Sequence, residues 1–335
     1  MINKKAFEIQ FNWIFVLAAG AAILLFFTIV VVKQKGLAET STKASVLKSI
    51  EAIVAGAGVG TDTTNTIQMP DSAIEIGCNR ISIGGVSKQY QSMVMFAPDL
   101  IKGSKLVTQT LGFSVPYRAT NMLYLTGQQA RYILIGDNNL AKEINKTLPS
   151  ILTKEFHKTS SLISNKNNYK VRLIIFGDID ANSIGMGSLD KMPDSDVTAI
   201  KVNGDDQKGA IQFYQKDGSA WSLKGGSIYI GRSSLIGAVY ADTVESYECN
   251  MQNAFSRLNL VTKIYKGRTE VLRDSDLTER PRCIDTYNGA LTQLNKIYAA
   301  SSNFNNINVE TISEAAKELS NQNKNAQKYS CTMIY

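Results

Sequence analysis

The sequence predicts an α+β protein with an N-terminal transmembrane helix, a mixed β-rich and α/β ectodomain, and a C-terminal helical hairpin or small bundle. Three observations carry this. Residues Ile9 to Val32 include no charge. The middle section, 61–232, sets short apolar runs between Gly, Asn and Asp turn signals. Residues 233–335 repeat apolar side chains at helical spacing.

The first element is the anchor. A helix rises about 1.5 Å per residue, so roughly 20 residues cross a hydrocarbon core of about 30 Å. Residues 11–32 meet that length, leaving 1–10 as a short cytoplasmic tail. Lys4 and Lys5 precede the run, Lys33 and Lys35 follow it, and Trp13 stands where an amphipathic ring meets the headgroups. A cleavable signal peptide would use Gly36-Leu37-Ala38, but the run exceeds the about 7–15 residues of a signal core, and two lysines intervene. A pilin-like filament subunit would be processed at Lys4-Lys5-Ala6-Phe7, where Glu8 stands too close to the junction. A retained anchor is the preferred reading, which makes the lipid bilayer the first expected partner. Ala18 and Ala22 share one helix face, where small side chains allow self-association or contact with other envelope proteins.

Lysines flank both ends equally, so orientation rests on the short tail and on the cysteines. Cys78, Cys249, Cys283 and Cys331 form an even set that fits an oxidising compartment. The expected location is the cell membrane, N-terminus cytoplasmic and C-terminal domain extracytoplasmic. Pairing among Cys249, Cys283 and Cys331 is expected, with the choice of partners open. Asn145-Lys146-Thr147 makes Asn145 a glycosylation candidate on that side.

The chain has 335 residues, with 36 Lys and Arg against 29 Asp and Glu, a formal net charge of +7. The excess is spread along the chain and does not interleave with aromatics, so no nucleic-acid partner is expected. The one histidine, His157, sits in a polar stretch read as helix, and it leaves no pair of histidines to ligate a metal. No GxSxG, Walker A, HExxH or CxxC motif occurs.

After the anchor comes a helical stem, 33–60. Val46, Leu47, Ile50, Ile53 and Val54 repeat at helical spacing until Gly56, Gly58 and Gly60 stop it. A polar segment, Thr61 to Thr66, leads to strands at 73–76, 80–83, 92–96, 106–113 and 122–125. The dense apolar runs Tyr132–Ile135 and Val171–Phe176 flank a helix over Leu140–His157, interrupted at Pro149. Strand, helix, strand predicts a parallel α/β unit. A meander follows at 197–202, 210–214, 221–223 and 227–230, turned by Asn203-Gly204, Asp217-Gly218 and Gly225-Gly226. Then Tyr240, Val244, Tyr247, Met251, Ala254, Leu258, Val261 and Tyr265 form an unbroken seam. Ile284, Tyr287, Leu291, Leu294 and Tyr298 offer an antiparallel partner, and Ile312, Ala315, Ala316 and Leu319 a third helix.

Candidate chemistry is sparse. Asp137 follows one apolar strand, and Asp178 and Asp180 follow the other. Ligands gather beyond the carboxyl ends of parallel strands, so these three could hold a divalent cation in a membrane-anchored metal-dependent enzyme. Ordinary turn and capping chemistry is the preferred account, because no phosphate-cradling loop accompanies them. No catalytic residue and no other cofactor is expected. The leading reading is a non-catalytic domain that binds or scaffolds cell-envelope components.

Two stretches carry a resemblance. Residues 7–20, FEIQFNWIFVLAAG, and residues 114–126, SVPYRATNMLYLT, resemble segments of an uncharacterised group of archaeal single-pass membrane proteins. They cover about a tenth of the chain. The group has no assigned activity, so the resemblance implies an envelope protein and carries over no functional residue.

Overall fold

The computed structural model describes residues 4–57, 60–69, 73–90, 93–159, 168–275, 280–304 and 307–335. The side chains of 4–15, 36–40, 42, 54 and 57 lie outside the described residues, and with them the expected roles of Lys4, Lys5, Trp13 and Val54.

The segments expected as anchor and stem are one helix, α1 (Lys4–Ala57), 54 residues long. Val16–Lys35 is long and apolar enough to cross a membrane, and none of it is buried. Ala18 and Ala22 are exposed. The last turns behave differently. Val46, Leu47 and Ile50 share one face by their spacing and are buried against the strands, with Ile53 packed at the edge. Glu51 pairs with Lys88 beside them. Ile50 is 1% exposed, so Ile50→Ala is expected to cost about 3 kcal/mol, as cavity-forming core substitutions do. Denaturant unfolding of the full chain in detergent, followed by near-UV circular dichroism, measures this.

The next strands are β1 (Thr63–Gln68), β2 (Ile74–Gly77), β3 (Arg80–Ile83), β4 (Val86–Gln89), β5 (Met95–Phe96), β6 (Leu100–Ile101), β7 (Lys105–Ser114) and β8 (Arg118–Gly127). They form two four-stranded sheets, ordered β1-β7-β8-β5 and β4-β3-β2-β6. The segment expected as a polar linker at 61–66 is largely strand β1. Its side chains are mostly exposed, and antiparallel backbone pairing with β7 makes it a strand. Of the strand expected at 92–96, Ser92 lies outside the described residues and pairing is confined to Met95–Phe96.

The third sheet is built from β9 (Ala130–Ile135), β10 (Thr153–His157), β11 (Lys170–Phe176), β12 (Val197–Gly204), β13 (Lys208–Asp217) and β14 (Ala220–Ile230), in the order β10-β9-β11-β12-β13-β14. The first four run parallel, and β13 and β14 are added by successive antiparallel pairings, β13 on β12 and β14 on β13. Helix α2 (Asn139–Thr147) makes the expected crossover, capped by Asn138, whose side chain accepts from the Ala141 N–H at 2.8 Å. It is shorter than expected. Residues 153–157, read as helix, form the edge strand β10, where Glu155 reaches the buried Arg131 at 2.7 Å. Non-local pairing overrides local propensity here. The expected turn at Gly225-Gly226 lies inside β14. Leu223 pairs with Tyr214 and Gly225 with Phe213, so the chain bulges at Lys224.

The two faces of this sheet bury different layers. Ile133, Ile135, Leu173, Ile175, Val197 and Ala199 pack on short 3-10 turns through Ala181, Ile184 and Leu189. Tyr132, Leu134, Ile174, Phe176, Ile200 and Val202 pack on the C-terminal helices. Those are α3 (Gly231–Tyr240), α4 (Val244–Ser275), α5 (Pro281–Ala300) and α6 (Val309–Lys328).

The long seam is broken once, because α3 ends at Tyr240 and α4 begins at Val244. Beyond the break Val244, Tyr247, Met251, Ala254 and Leu258 are buried as the spacing predicts. Helix α5 runs antiparallel to α4 and is rotated slightly from expectation. Tyr287, Leu291 and Leu294 are buried, but Cys283, Ala290 and Ile297 join them while Tyr298 is exposed. All four expected residues of α6 are buried. One apolar cluster runs from Val94 to Ile334, so residues 61–232 and 233–335 share an interior. Helix α3 lies deep within it. A Cβ at Gly237 would stand 2.8 Å from the Phe96 ring, so only glycine fits there.

Cys78 in the β2–β3 turn pairs with Cys249 on α4, their Cα atoms 6.1 Å apart. Cys283 on α5 pairs with Cys331, their Cα atoms 5.6 Å apart. The second bond is among the expected pairings. Cys249 points off the seam towards the β4-β3-β2-β6 sheet, which gives it Cys78.

Candidate functional site

The strand Lys170-Val171-Arg172-Leu173-Ile174-Ile175-Phe176 is apolar apart from its first and third residues. Alternation puts both charges on the helix-facing side, and both are buried. Register places Arg172 between Tyr132 of β9 and Thr198 of β12, with Gln215 of β13 next in the row.

Arg172 is accommodated because α3 ends in front of it. Its guanidinium donates to the carbonyls of Ala238 at 2.8 Å, Ala241 at 2.5 Å and Asp242 at 3.4 Å. These are carbonyls that a helix C-terminus leaves unpaired, and the helix dipole favours a cation there. The Phe213 ring lies 5.6 Å from the guanidinium carbon. Burial pushes Arg172 down to about 10, so it stays charged at neutral pH.

Lys170 donates to Asp242, and both side chains are only 7% exposed. The same carboxylate oxygen of Asp242 accepts the Asp99 N–H at 3.0 Å. Desolvation, with Asp242 close by, raises the Asp99 carboxyl above its ordinary range. Thr198 is 3% exposed, and its hydroxyl has no hydrogen-bond partner among the described residues.

These groups border a crevice of about 340 Å³ at the amino ends of β11 and β12. Its lining includes Asp99, Leu100, Lys170, Thr198, Tyr214 and Asp242, with Asp196, Lys224 and Glu245 contributing further charge. A second, wider cavity of about 490 Å³ lies between the Pro116 turn, Gly231 and α6, where Lys317 and Lys324 face Asp206. Arg232 already engages Asp206 through two bonds, at 2.7 and 2.8 Å.

The expected metal residues lie at the opposite end of the sheet. Strands β9 and β11 are neighbours, so Asp137, Asp178 and Asp180 do follow adjacent strands. All three are exposed. Asp137 pairs with Lys142 at 3.1 Å, and Asp180 caps a 3-10 turn through the Asn182 N–H at 3.1 Å. Among the described residues no group of three or more His, Cys, Asp or Glu side chains could hold a metal ion. Asn145 is half-buried on α2, where its carbonyl accepts from Lys154 at 2.6 Å. His157 is half-buried on the edge strand, 3.3 Å from Glu155.

The crevice draws Asp99, Lys170, Thr198 and Asp242 from four separate stretches, and sequence reasoning missed it. One signal was present: two cations at alternate positions in an otherwise buried strand require partners.

Compared with family models, with curated proteins and with solved structures, the chain matches none. The site therefore stands on its own geometry, and the resemblance of residues 7–20 and 114–126 brings no residue to it.

Proposed function

We propose that this chain is a single-pass cell-membrane protein whose folded domain lies on the extracytoplasmic side and binds or scaffolds envelope components without catalysing a reaction. The observation that carries this reading is the division of labour along α1. Its apolar part, Val16–Lys35, is wholly unburied, while Val46, Leu47 and Ile50 of the same helix belong to a core of the folded domain. Exposing so much apolar surface to water would be unfavourable at roughly 25 cal/mol per Å², whereas lipid accepts it. The unbroken helix would then transmit position from bilayer to domain without a flexible linker. Two disulfides fit an oxidising compartment. Ala18 and Ala22, exposed on one face, would allow lateral association with a second span.

Alkaline carbonate extraction of cell membranes tests the anchor. The chain should stay in the pellet, and a variant carrying Leu24→Lys with Phe27→Lys should be released. Recovery of the unaltered chain in the soluble fraction would defeat the proposal. Crosslinking in intact cells tests the scaffolding role: a specific envelope partner or a homo-oligomer supports it, and a monomer without partners counts against it.

A further inference from the structure

We infer that the exposed face of α4 between Arg257 and Asp274 docks a second copy of this chain, the two helices lying antiparallel about a two-fold axis. The scaffolding role assigns nothing to this face, and the inference holds whichever side of a membrane the domain occupies.

Spacing is the first argument. Leu260, Ile264, Gly267 and Val271 stand four, three and four residues apart, so they form one stripe down a side of the helix. Leu260 is 50% exposed, Ile264 61% and Val271 69%. The core lies on the other side, where Ala254, Leu258 and Thr262 are buried. Over the first turns of α4 the striped side is covered. Cys249 is bonded to Cys78 there, and the Asn253 amide donates to the Asn79 side chain at 2.8 Å. Single exposed apolar side chains are ordinary, but a stripe at heptad spacing is the pattern of a helix that packs on another. A Cβ at Gly267 would meet nothing within 4 Å among the described residues, which leaves a notch where a facing side chain can seat.

Charge then selects the occupant. Carried on by three residues at each end, the stripe begins at Arg257 and finishes at Asp274. An antiparallel copy with Ile264 facing Gly267 sets Leu260 against Val271 and Arg257 against Asp274, each twice by symmetry. The same register brings Lys263 on one flank beside Glu270 of the second copy. On the other flank Arg268 meets Val261, so no like charges face each other. Within one chain Asp274 holds Arg273 at 2.8 Å, whereas Arg257, Lys263 and Glu270 form no ion pair among the described residues.

Other occupants fit worse. A parallel copy would set Arg257 on Arg257, Asp274 on Asp274 and Lys263 beside Arg268, all like charges. An anionic bilayer would attract Arg257, Lys263 and Arg268 but repel Glu270 and Asp274 at the far end of the same stripe. Exposed ion pairs contribute little each, so they fix direction and register while the apolar stripe supplies the attraction. A helix of about 10 Å diameter offers less here than the about 800 Å² per partner of a standard interface, so the affinity is modest.

The test is sedimentation equilibrium of the full chain in density-matched detergent. A reversible monomer–dimer equilibrium is expected, with a Kd of about 10–100 μM. Ile264→Glu should abolish it. Lys263→Glu should weaken it about tenfold, because two attractions become two repulsions, and Lys263→Glu with Glu270→Lys should restore it. Near-UV circular dichroism establishes that each variant is folded. Copies carrying Leu260→Cys, mixed with copies carrying Val271→Cys, should crosslink to each other in preference to their own kind. A chain that stays monomeric throughout that range overturns the inference. So does a dimer that Ile264→Glu leaves intact, or a double charge exchange that restores nothing. In phosphatidylglycerol nanodiscs holding one chain each, quenching of a probe at Val271→Cys by spin-labelled lipid would give the face to the bilayer and also overturn it. Sedimentation reads mass and not topology, so its failure is distinct from failure of the membrane reading.

Discussion

Asp242→Ala is expected to destabilise the folded domain by about 4 kcal/mol, because removing one member of a buried ion pair strands the other charge. Lys170 has its carboxylate partner in Asp242, and at 7% side-chain exposure water cannot replace it. The same substitution removes the acceptor for the Asp99 N–H. The paired replacement Lys170→Met with Asp242→Leu should recover most of the loss, since two apolar side chains have no desolvation cost to repay. Arg172 should tolerate that exchange, as its shortest bonds go to the carbonyls of Ala238 and Ala241. Urea unfolding of the full chain in detergent gives both values. A single variant within about 1 kcal/mol of the parent, the range of surface pairs, would mean that the pair is solvated and the crevice wall is not built as described.

Removing the disulfides should cost as much or more. Cys283–Cys331 spans 48 residues and Cys78–Cys249 spans 171. Loop-closure entropy gives about 4 kcal/mol for the shorter and about 5 kcal/mol for the longer. The consequences differ in place. Cys283→Ser with Cys331→Ser should loosen the C-terminal segment, which is otherwise held by Asn323, accepting from the Ile334 N–H at 2.8 Å, and by Tyr287, donating to the Thr332 carbonyl at 3.0 Å. Cys78→Ser with Cys249→Ser should loosen the β4-β3-β2-β6 sheet from α4, leaving bonds such as that from the Asn253 side-chain amide to the Asn79 side-chain oxygen at 2.8 Å. Hydrogen exchange locates each loss and denaturant midpoints size it. Unchanged midpoints in both serine pairs would show that neither bond constrains the fold.

Much of this architecture is legible in sequence because it is local. The uncharged run, the spacing of Val46, Leu47 and Ile50, the dense strands β9 and β11, and the periodicity of α4 and α6 each declare themselves within a few turns. What stayed hidden depends on partners distant in the chain. Strand β1 is polar and exists by pairing with β7, some 40 residues on. Strand β10 looks helical until it is laid beside β9. The crevice is the extreme case, with Lys170 and Asp242 separated by 72 residues. The aspartates singled out from sequence obey the rule for parallel strands, yet they lie exposed at the end of the sheet opposite the enclosed crevice.

The central claim is that α1 anchors in a bilayer a disulfide-bonded domain that faces an oxidising side. Thiol labelling of intact cells with a membrane-impermeant maleimide, before and after an impermeant reductant, addresses it most directly. The prediction is no labelling at first, then labelling of Cys78, Cys249, Cys283 and Cys331 from outside once the bonds are reduced. Cysteines that label without reductant, and only with a reagent that crosses the membrane, would place the domain in the cytoplasm and contradict the account.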